Sequence, residues 1–360
     1  MKKLLLLCLV LLGGVMQVSA WDNIYLRSNL NATAENEYLS WDTDNADYKF
    51  TWVEYNSSYE DVYTYTINAG DFSDDILFRL HISSWEYQLR PSQSQFTLDL
   101  SSSNNAGYEI WSYSDSYRWK DSSWGDLYFK IEHTKVKASQ YKITLYQKSK
   151  DHGQDGRIWM SVEIVSMPAT VSTLGYSTFS CDRALDLSNA SSGLTAYKAS
   201  VNSNNVVVLT KVTGTVAAGT GLLLAGTTGT IPVVETGTDI SSTNLLKATV
   251  SETEVAASTT NKYHYFLAGN APENVGFYNL ASAATSGAGK AYLETTTALS
   301  NAGTNSRAAW IFEDTTTGIA NIDVNTKFDV NAPMYNLAGQ RVSKSYKGVV
   351  IVNGKKMLNK

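Results

Sequence analysis

Apolar and polar residues alternate with period two along most of the first half of the chain. Val62-Tyr-Thr-Tyr-Thr-Ile67 places Tyr63, Tyr65 and Ile67 on one face. Ile76, Phe78, Leu80 and Ile82 alternate with Leu77, Arg79 and His81, and Leu127, Phe129 and Ile131 alternate with Tyr128, Lys130 and Glu132. Ile158, Met160, Val162 and Ile164 alternate with Trp159, Ser161 and Glu163. This is the signature of half-buried strands in antiparallel sheets. Turn formers such as Asn68-Ala-Gly70 and Asp151-His-Gly-Gln-Asp-Gly156 separate the runs. No stretch longer than ten residues carries a 3.6 period, so a β-sandwich is predicted.

Further on the runs shorten and become apolar throughout: Val206-Val-Val-Leu209, Thr220-Gly-Leu-Leu-Leu224 and Tyr263-His-Tyr-Phe-Leu267. Strands covered on both faces read this way, which predicts a second sandwich or jelly roll. The C-terminal end offers Met334-Tyr-Asn-Leu337, a turn at Ala338-Gly-Gln340, and Val349-Val-Ile-Val352 followed by Asn353-Gly354, a strong hairpin signal. A small module of two to four strands is expected there.

Composition sharpens these divisions. Residues 21–165 hold 8 Trp, 14 Tyr and 5 Phe, whereas residues 166–315 hold 1 Trp, 6 Tyr and 4 Phe and are rich in Ala, Thr, Gly and Ser instead. Pro168 falls at the change, where a connection is expected. Residues 327–360 carry seven Lys or Arg against one Asp, after a body of 20 basic and 33 acidic residues over 21–326. The predicted domains are therefore an aromatic sandwich over 21–167, a Thr/Ala/Gly-rich β domain over 168–318 and a basic β-module over 319–360. With 43% hydrophobic and 18% charged residues the chain is no disordered polyelectrolyte, and its net charge of −5 leaves no footprint for nucleic acid.

Residues 1–20 read as a signal peptide. Lys2 and Lys3 precede the apolar run Leu4 to Leu12, and Val18-Ser-Ala20 offers a small-residue cleavage site. The run is shorter than the roughly 20 residues a transmembrane helix needs, and no second long apolar segment follows, so no transmembrane segment is expected in the mature chain. Cys181 is then its only cysteine, expected as a buried, inert thiol.

Chemical motifs are sparse. His81, His133, His152 and His264 are scattered without metal-ligand spacing, so no metal site is predicted. Gly287-Ala-Gly-Lys290 fails as a phosphate loop, since Ala284 and Ala291 occupy positions that need Gly and Ser or Thr. No Gly-x-Ser-x-Gly elbow appears. The acidic stretches Asp42-Thr-Asp-Asn-Ala-Asp47 and Asp151 to Gly156 lack a calcium-loop spacing and read as solvated turns. No catalytic residues and no cofactor are predicted.

The most suggestive segment is WSYSDSYRWKDSSWGD, Trp111 to Asp126, with three Trp, two Tyr and no aliphatic residue. Sugars present apolar C–H faces and a rim of hydroxyls, which match flat rings flanked by charged hydrogen-bonding groups. Trp111, Tyr117, Trp119 and Trp124, with Asp115, Arg118 and Asp121, are the candidate glycan platform; packing at the end of the sandwich is the alternative.

Asn23-Ile-Tyr-Leu-Arg-Ser28, Trp41, Tyr48-Lys-Phe-Thr51, the Val62 to Ile67 run and Phe78-Arg-Leu80 near Trp85 resemble the immunoglobulin-like starch-binding modules of Sus-type outer-membrane proteins. Ser28 stands where those modules have Gly, and Trp41 comes about ten residues late, so their sugar platform does not transfer residue by residue. The tail, with Tyr335, Asn336, Leu337, Gly339, Gln340 and Arg341 followed by Gly348, Asn353 and Gly354, resembles a type IX secretion C-terminal sorting domain. That resemblance implies passage across the outer membrane by a dedicated secretion machinery, to the cell surface or beyond. The segment between, including Gly175-Tyr-Ser-Thr-Phe179 and Gly289-Lys-Ala-Tyr-Leu293, is similar to a module that recurs before such tails and implies no activity.

The sequence thus predicts an exported, all-β, non-catalytic surface protein that binds polysaccharide or oligosaccharide. A structural or adhesive protein with a protein partner, and a divergent glycoside hydrolase with paired carboxylates, are the two other readings.

Overall fold

Ten strands follow one another through the aromatic half of the chain: β1 (Ile24–Ser28), β2 (Thr51–Asn56), β3 (Glu60–Asn68), β4 (Ile76–Ile82), β5 (Tyr87–Leu89), β6 (Gln95–Thr97), β7 (Tyr108–Trp111), β8 (Tyr128–Ile131), β9 (Gln140–Lys148) and β10 (Ile158–Ala169). The structure is a computed structural model that describes residues 24–31, 46–56, 60–70, 72–82, 87–89, 95–100, 108–111, 128–148, 158–271, 274–302, 307–313, 333–336, 340–343, 345–346, 348–352 and 355–359. The protein is all-β, with two sandwich units and a small C-terminal sheet. Among the described residues the one α-helix is the four-residue turn His133–Val136.

After β10 the chain alternates between the two units. β11 (Tyr176–Phe179) belongs to the second, and β12 (Ala184–Asp186) returns to the first. β13 (Leu194–Val201), β14 (Val207–Lys211), β15 (Thr215–Val216) and β16 (Leu222–Gly226) lie in the second, and β17 (Gly229–Val234) returns once more. The first unit therefore comprises Met1–Thr170, Arg183–Ser192 and Thr228–Gly237. One of its sheets runs β1-β4-β8-β6 with β5 also on β4; the other runs β12-β17-β10-β9-β3-β2 with β7 also on β10. β10 is long enough to hold β7 beside Ile158–Met160 and β17 beside Ser166–Ala169 on one side, and β9 on the other. Pro168 is not in a connection but in this strand, opposite Thr230. The ladder with β9 ends at Ser166, so beyond it β10 has a neighbour on one side only, where a residue without an N–H is tolerated.

The period-two faces are the core faces. Ile76, Phe78, Leu80, Phe129 and Ile131 of one sheet meet Tyr63, Ile67, Tyr141, Ile143, Leu145, Met160 and Val162 of the other, all buried. The opposite face of the first sheet departs from the pattern: Arg79 and Tyr128 are buried too, with the guanidinium 5.3 Å from the ring centroid.

At one end of this sandwich, His133 Nε2 donates to the Phe72 carbonyl at 2.9 Å, so its Nδ1 accepts from the Tyr141 hydroxyl at 2.8 Å. Beside them Asp75 pairs with Lys130 at 2.7 Å and accepts from the backbone N–H and hydroxyl of Thr134. Partial burial alone would raise the Asp75 carboxyl, but Lys130 and Thr134 outweigh it and hold the group at about 2, below its ordinary 3.8. A depressed folded-state value stabilises above the unfolded one and is lost as pH falls through the folded one. Asp75→Asn should therefore cost about 1–2 kcal/mol at neutral pH. Its stability should then fall less steeply than the parent's between pH 4 and 2, as urea midpoints across that range would show.

The second unit comprises Val171–Asp182, Gly193–Thr227 and Thr238–Lys360. Its remaining strands are β18 (Leu246–Thr249), β19 (Thr253–Val255), β20 (Tyr263–Ala268), β21 (Gly276–Asn279), β22 (Ala284–Ser286), β23 (Lys290–Thr295) and β24 (Trp310–Phe312). They form the sheets β11-β16-β13-β14-β24 and β18-β23-β20-β21, with β19 and β22 as a separate pair. Leu222, Leu223 and Leu224 are fully buried in succession, as a run covered on both faces requires, whereas Val207 and Leu209 are buried on one face with Val206 and Val208 half-buried. Cys181 is buried, its Sγ 3.7 Å from Asp182 Oδ1.

The tail folds as a four-stranded antiparallel sheet of β25 (Met334–Tyr335), β26 (Arg341–Val342), β27 (Gly348–Val352) and β28 (Lys355–Asn359), in the order β26-β25-β27-β28. Met334, Val350 and Val352, with Val342, are its own core. Val352 pairs with Lys355, and Asn353-Gly354 between them lie outside the described residues.

Candidate functional site

Strands β2, β3, β7, β9 and β10 meet at the end of the first sandwich opposite His133. Asn56 faces Glu60, Glu60 faces Lys148, and Ile158 lies between Gln147 and Trp111. Trp111 closes β7 here, so the Trp-rich segment starts from this end. Its other candidates, Asp115, Tyr117, Arg118, Trp119, Asp121 and Trp124, lie outside the described residues, as does the side chain of Trp111.

The described residues at the same end form a constellation that the sequence did not single out. Trp52 is 50% exposed, and its indole N–H donates to Asp61 Oδ1 at 3.1 Å. The ladder between β2 and β3 slips by one residue between Trp52 and Glu54, a bulge that leaves Trp52 and Val53 both half exposed. Asp61 is only 6% exposed, and no cation lies within ion-pair distance of it among the described residues. Its cross-strand neighbour Gln147 is 4% exposed, with its Oε1 buried and unbonded. A buried carboxylate and a buried unpaired amide oxygen are costly unless a partner arrives. Together the three offer a ring whose plane is fixed, an anionic acceptor, and an amide with unused hydrogen-bonding capacity.

One signal could have found this site: Asp61 is in phase with Tyr63, Tyr65 and Ile67, where the alternation calls for an apolar residue, and Trp52 lies opposite Tyr63 on the neighbouring strand. That signal does not say that Gln147, 86 positions on, completes the site.

His133 is engaged by Tyr141 and Phe72, and His264 by the Ala256 carbonyl at 2.7 Å and Glu294 at 3.2 Å. Among the described residues no three His, Cys, Asp or Glu side chains cluster as a metal site would require.

In the tail, Asn336 and Gln340 close the turn between β25 and β26. The Asn336 N–H donates to the Gln340 carbonyl at 2.9 Å, the Gln340 N–H donates to Asn336 Oδ1 at 2.9 Å, and the two side-chain amides bond at 3.0 Å. The Asn and Gln of the motif are thus a hairpin clasp. Tyr335 is 37% exposed and Arg341 is exposed, on strands that pair with each other. Gly348 opens β27, while Leu337, Gly339, Asn353 and Gly354 lie outside the described residues.

No family model, no curated protein and no solved structure matches this chain.

Proposed function

We propose that the protein is exported to the cell surface, or released from it, and binds carbohydrate there without transforming it. The observation that carries the binding reading is the half-exposed Trp52, anchored by a buried carboxylate beside a buried amide. A sugar ring lays its C–H face on an indole and turns its hydroxyls to the edge, where a carboxylate and an amide accept and donate. A ring already locked in position loses little freedom when the sugar arrives, which favours binding. Trp111 ends β7 at this same end. Export is supported by residues 1–20 and by the resemblance of the tail to a sorting domain.

Affinity electrophoresis of the full chain against neutral polysaccharides tests the reading. At least one polysaccharide should retard the protein, and Trp52→Ala should weaken that retention by about 1–3 kcal/mol, as exposed aromatic hot spots do. Trp52→Phe keeps a ring but loses the N–H that fixes it, and should fall between. Both variants also take the indole donor from the buried Asp61 carboxylate, so retention is compared well below the melting temperature measured for each. Retention that is absent on every polysaccharide, or unchanged in Trp52→Ala, removes this site from the reading.

A further inference from the structure

The second unit holds a groove of about 360 Å³ that the platform of the first does not explain. It opens where two neighbouring strands part. β20 and β23 pair at Tyr263–Thr295, His264–Glu294 and Tyr265–Leu293, and there the ladder stops. From Leu293 back to Lys290, β23 follows β18, while Phe266, Leu267 and Ala268 pair only with β21. The split is lined by Phe266 on one side and Lys290 on the other, with Tyr176 and Ser177 of β11 and Thr285; Ser286 lines it too, but its buried hydroxyl is bonded to that of Thr249 at 2.8 Å.

Its chemistry is one-sided. Lys290 is exposed, and its ammonium donates to Ser177 Oγ at 3.3 Å, with no carboxylate in ion-pair range among the described residues. No Asp or Glu lines the groove. Further along the same strand the opposite holds: Glu294 is met by Lys262 at 3.0 Å. The Tyr176 ring is held from behind, 5.3 Å from Trp310 and stacked at 22° on Phe312 with centroids 6.1 Å apart. The groove therefore combines a supported aromatic wall, the serine and threonine side chains of Ser177 and Thr285 and one unneutralised cation, at the small end of the volumes that ligand sites occupy.

We propose that this groove binds an acidic sugar, with the carboxylate of a uronic acid at Lys290, its ring against the wall of Tyr176 and Phe266, and its hydroxyls at Ser177 and Thr285. A neutral sugar would leave the ammonium uncompensated. A short carboxylate without a ring would leave the aromatic wall uncovered. The site shares no residue with the Trp52 constellation, so either stands if the other fails.

The test is isothermal titration of the full chain with trimers of galacturonic, glucuronic and mannuronic acid, and with their methyl esters, which keep the rings and lose the charge. At least one acid trimer should bind, about tenfold or more tighter than its ester, since the charge-assisted contact is then lost. Lys290→Met, a change at an exposed position, should remove the preference, so that acid and ester bind within about twofold of each other. Trp52→Ala should alter neither. Three results would each overturn the proposal: no binding by any of the three acids, equal affinity of acid and ester, or tighter binding of tri-alanine, whose carboxylate lacks a sugar.

Discussion

Deleting residues 331–360 is expected to abolish display at the cell surface while leaving both sandwiches folded. The β25–β28 sheet has its own small core in Met334, Val350 and Val352, and none of these residues belongs to the cores built on Phe78 and Tyr141 or on Leu223 and Tyr265. Removing it therefore opens no cavity in either, and the melting temperature should shift by less than about 3 °C. Surface display depends on the sorting reading of the tail. In the native host the truncated chain should accumulate in the periplasm, detected by fractionation and by loss of labelling on intact cells. A narrower variant separates signal from fold. Asn336→Ala removes the clasp that accepts from the Gln340 N–H and bonds the Gln340 side chain, and it should reduce display less than deletion does. Normal display of the truncated chain would end the sorting role and leave the tail a structural appendage.

How far such readings go depends on the range of the interactions behind them. Alternation is local, so the strands built around Tyr63, Phe78, Phe129 and Met160 were legible residue by residue, and so were the all-apolar strands around Leu209 and Leu223. The antiparallel pairing of the strands that flank Asn353-Gly354 was legible for the same reason. Strand exchange was not. β12 and β17 return to the first unit because β10 runs on past Met160, where β7 stops on the side away from β9, and offers an open edge to Ile231 and Thr230. Nothing near residues 184–186 or 229–234 announces that distant edge. The sites show the same limit. The Trp-rich segment is conspicuous because its residues are consecutive, whereas Trp52, Asp61 and Gln147 are brought together only by register across three strands. In the second unit, low aromatic content concealed that Tyr176, Tyr197, Trp310 and Phe312 collect in one cluster. The burial of Arg79 was not legible either, because alternation says which residues share a face and not that Tyr128 of another strand covers it.

The largest loss of stability expected from a single methyl group is at Gly226. This residue ends β16 with φ +103°, in the left-handed half of conformational space that residues with a Cβ avoid. It faces Leu194 at the start of β13, and the chain there is drawn in by bonds from the Gly226 N–H to the Gly175 carbonyl at 3.2 Å and from the Thr227 N–H to the Gly193 carbonyl at 3.1 Å. A Cβ at Gly226 would lie well inside the van der Waals radius of that same Gly193 carbonyl oxygen. The obstacle is backbone, which cannot rotate away as a side chain would. Gly219 is the matched control, with φ +73° in the same unit but no atom within 4 Å of an added Cβ. Gly219→Ala should cost about 1–2 kcal/mol, the left-handed penalty alone. Gly226→Ala should cost on the order of 4 kcal/mol or more, because a steric collision is added to backbone strain. Amide hydrogen exchange in β13 and β16 reads the second unit without interference from the first. Protection there should collapse in Gly226→Ala and persist in Gly219→Ala. Equal protection in the two variants would mean that the β13–β16 junction yields to a methyl group, and that the close approach of Gly193 to Gly226 does not hold the two strands together.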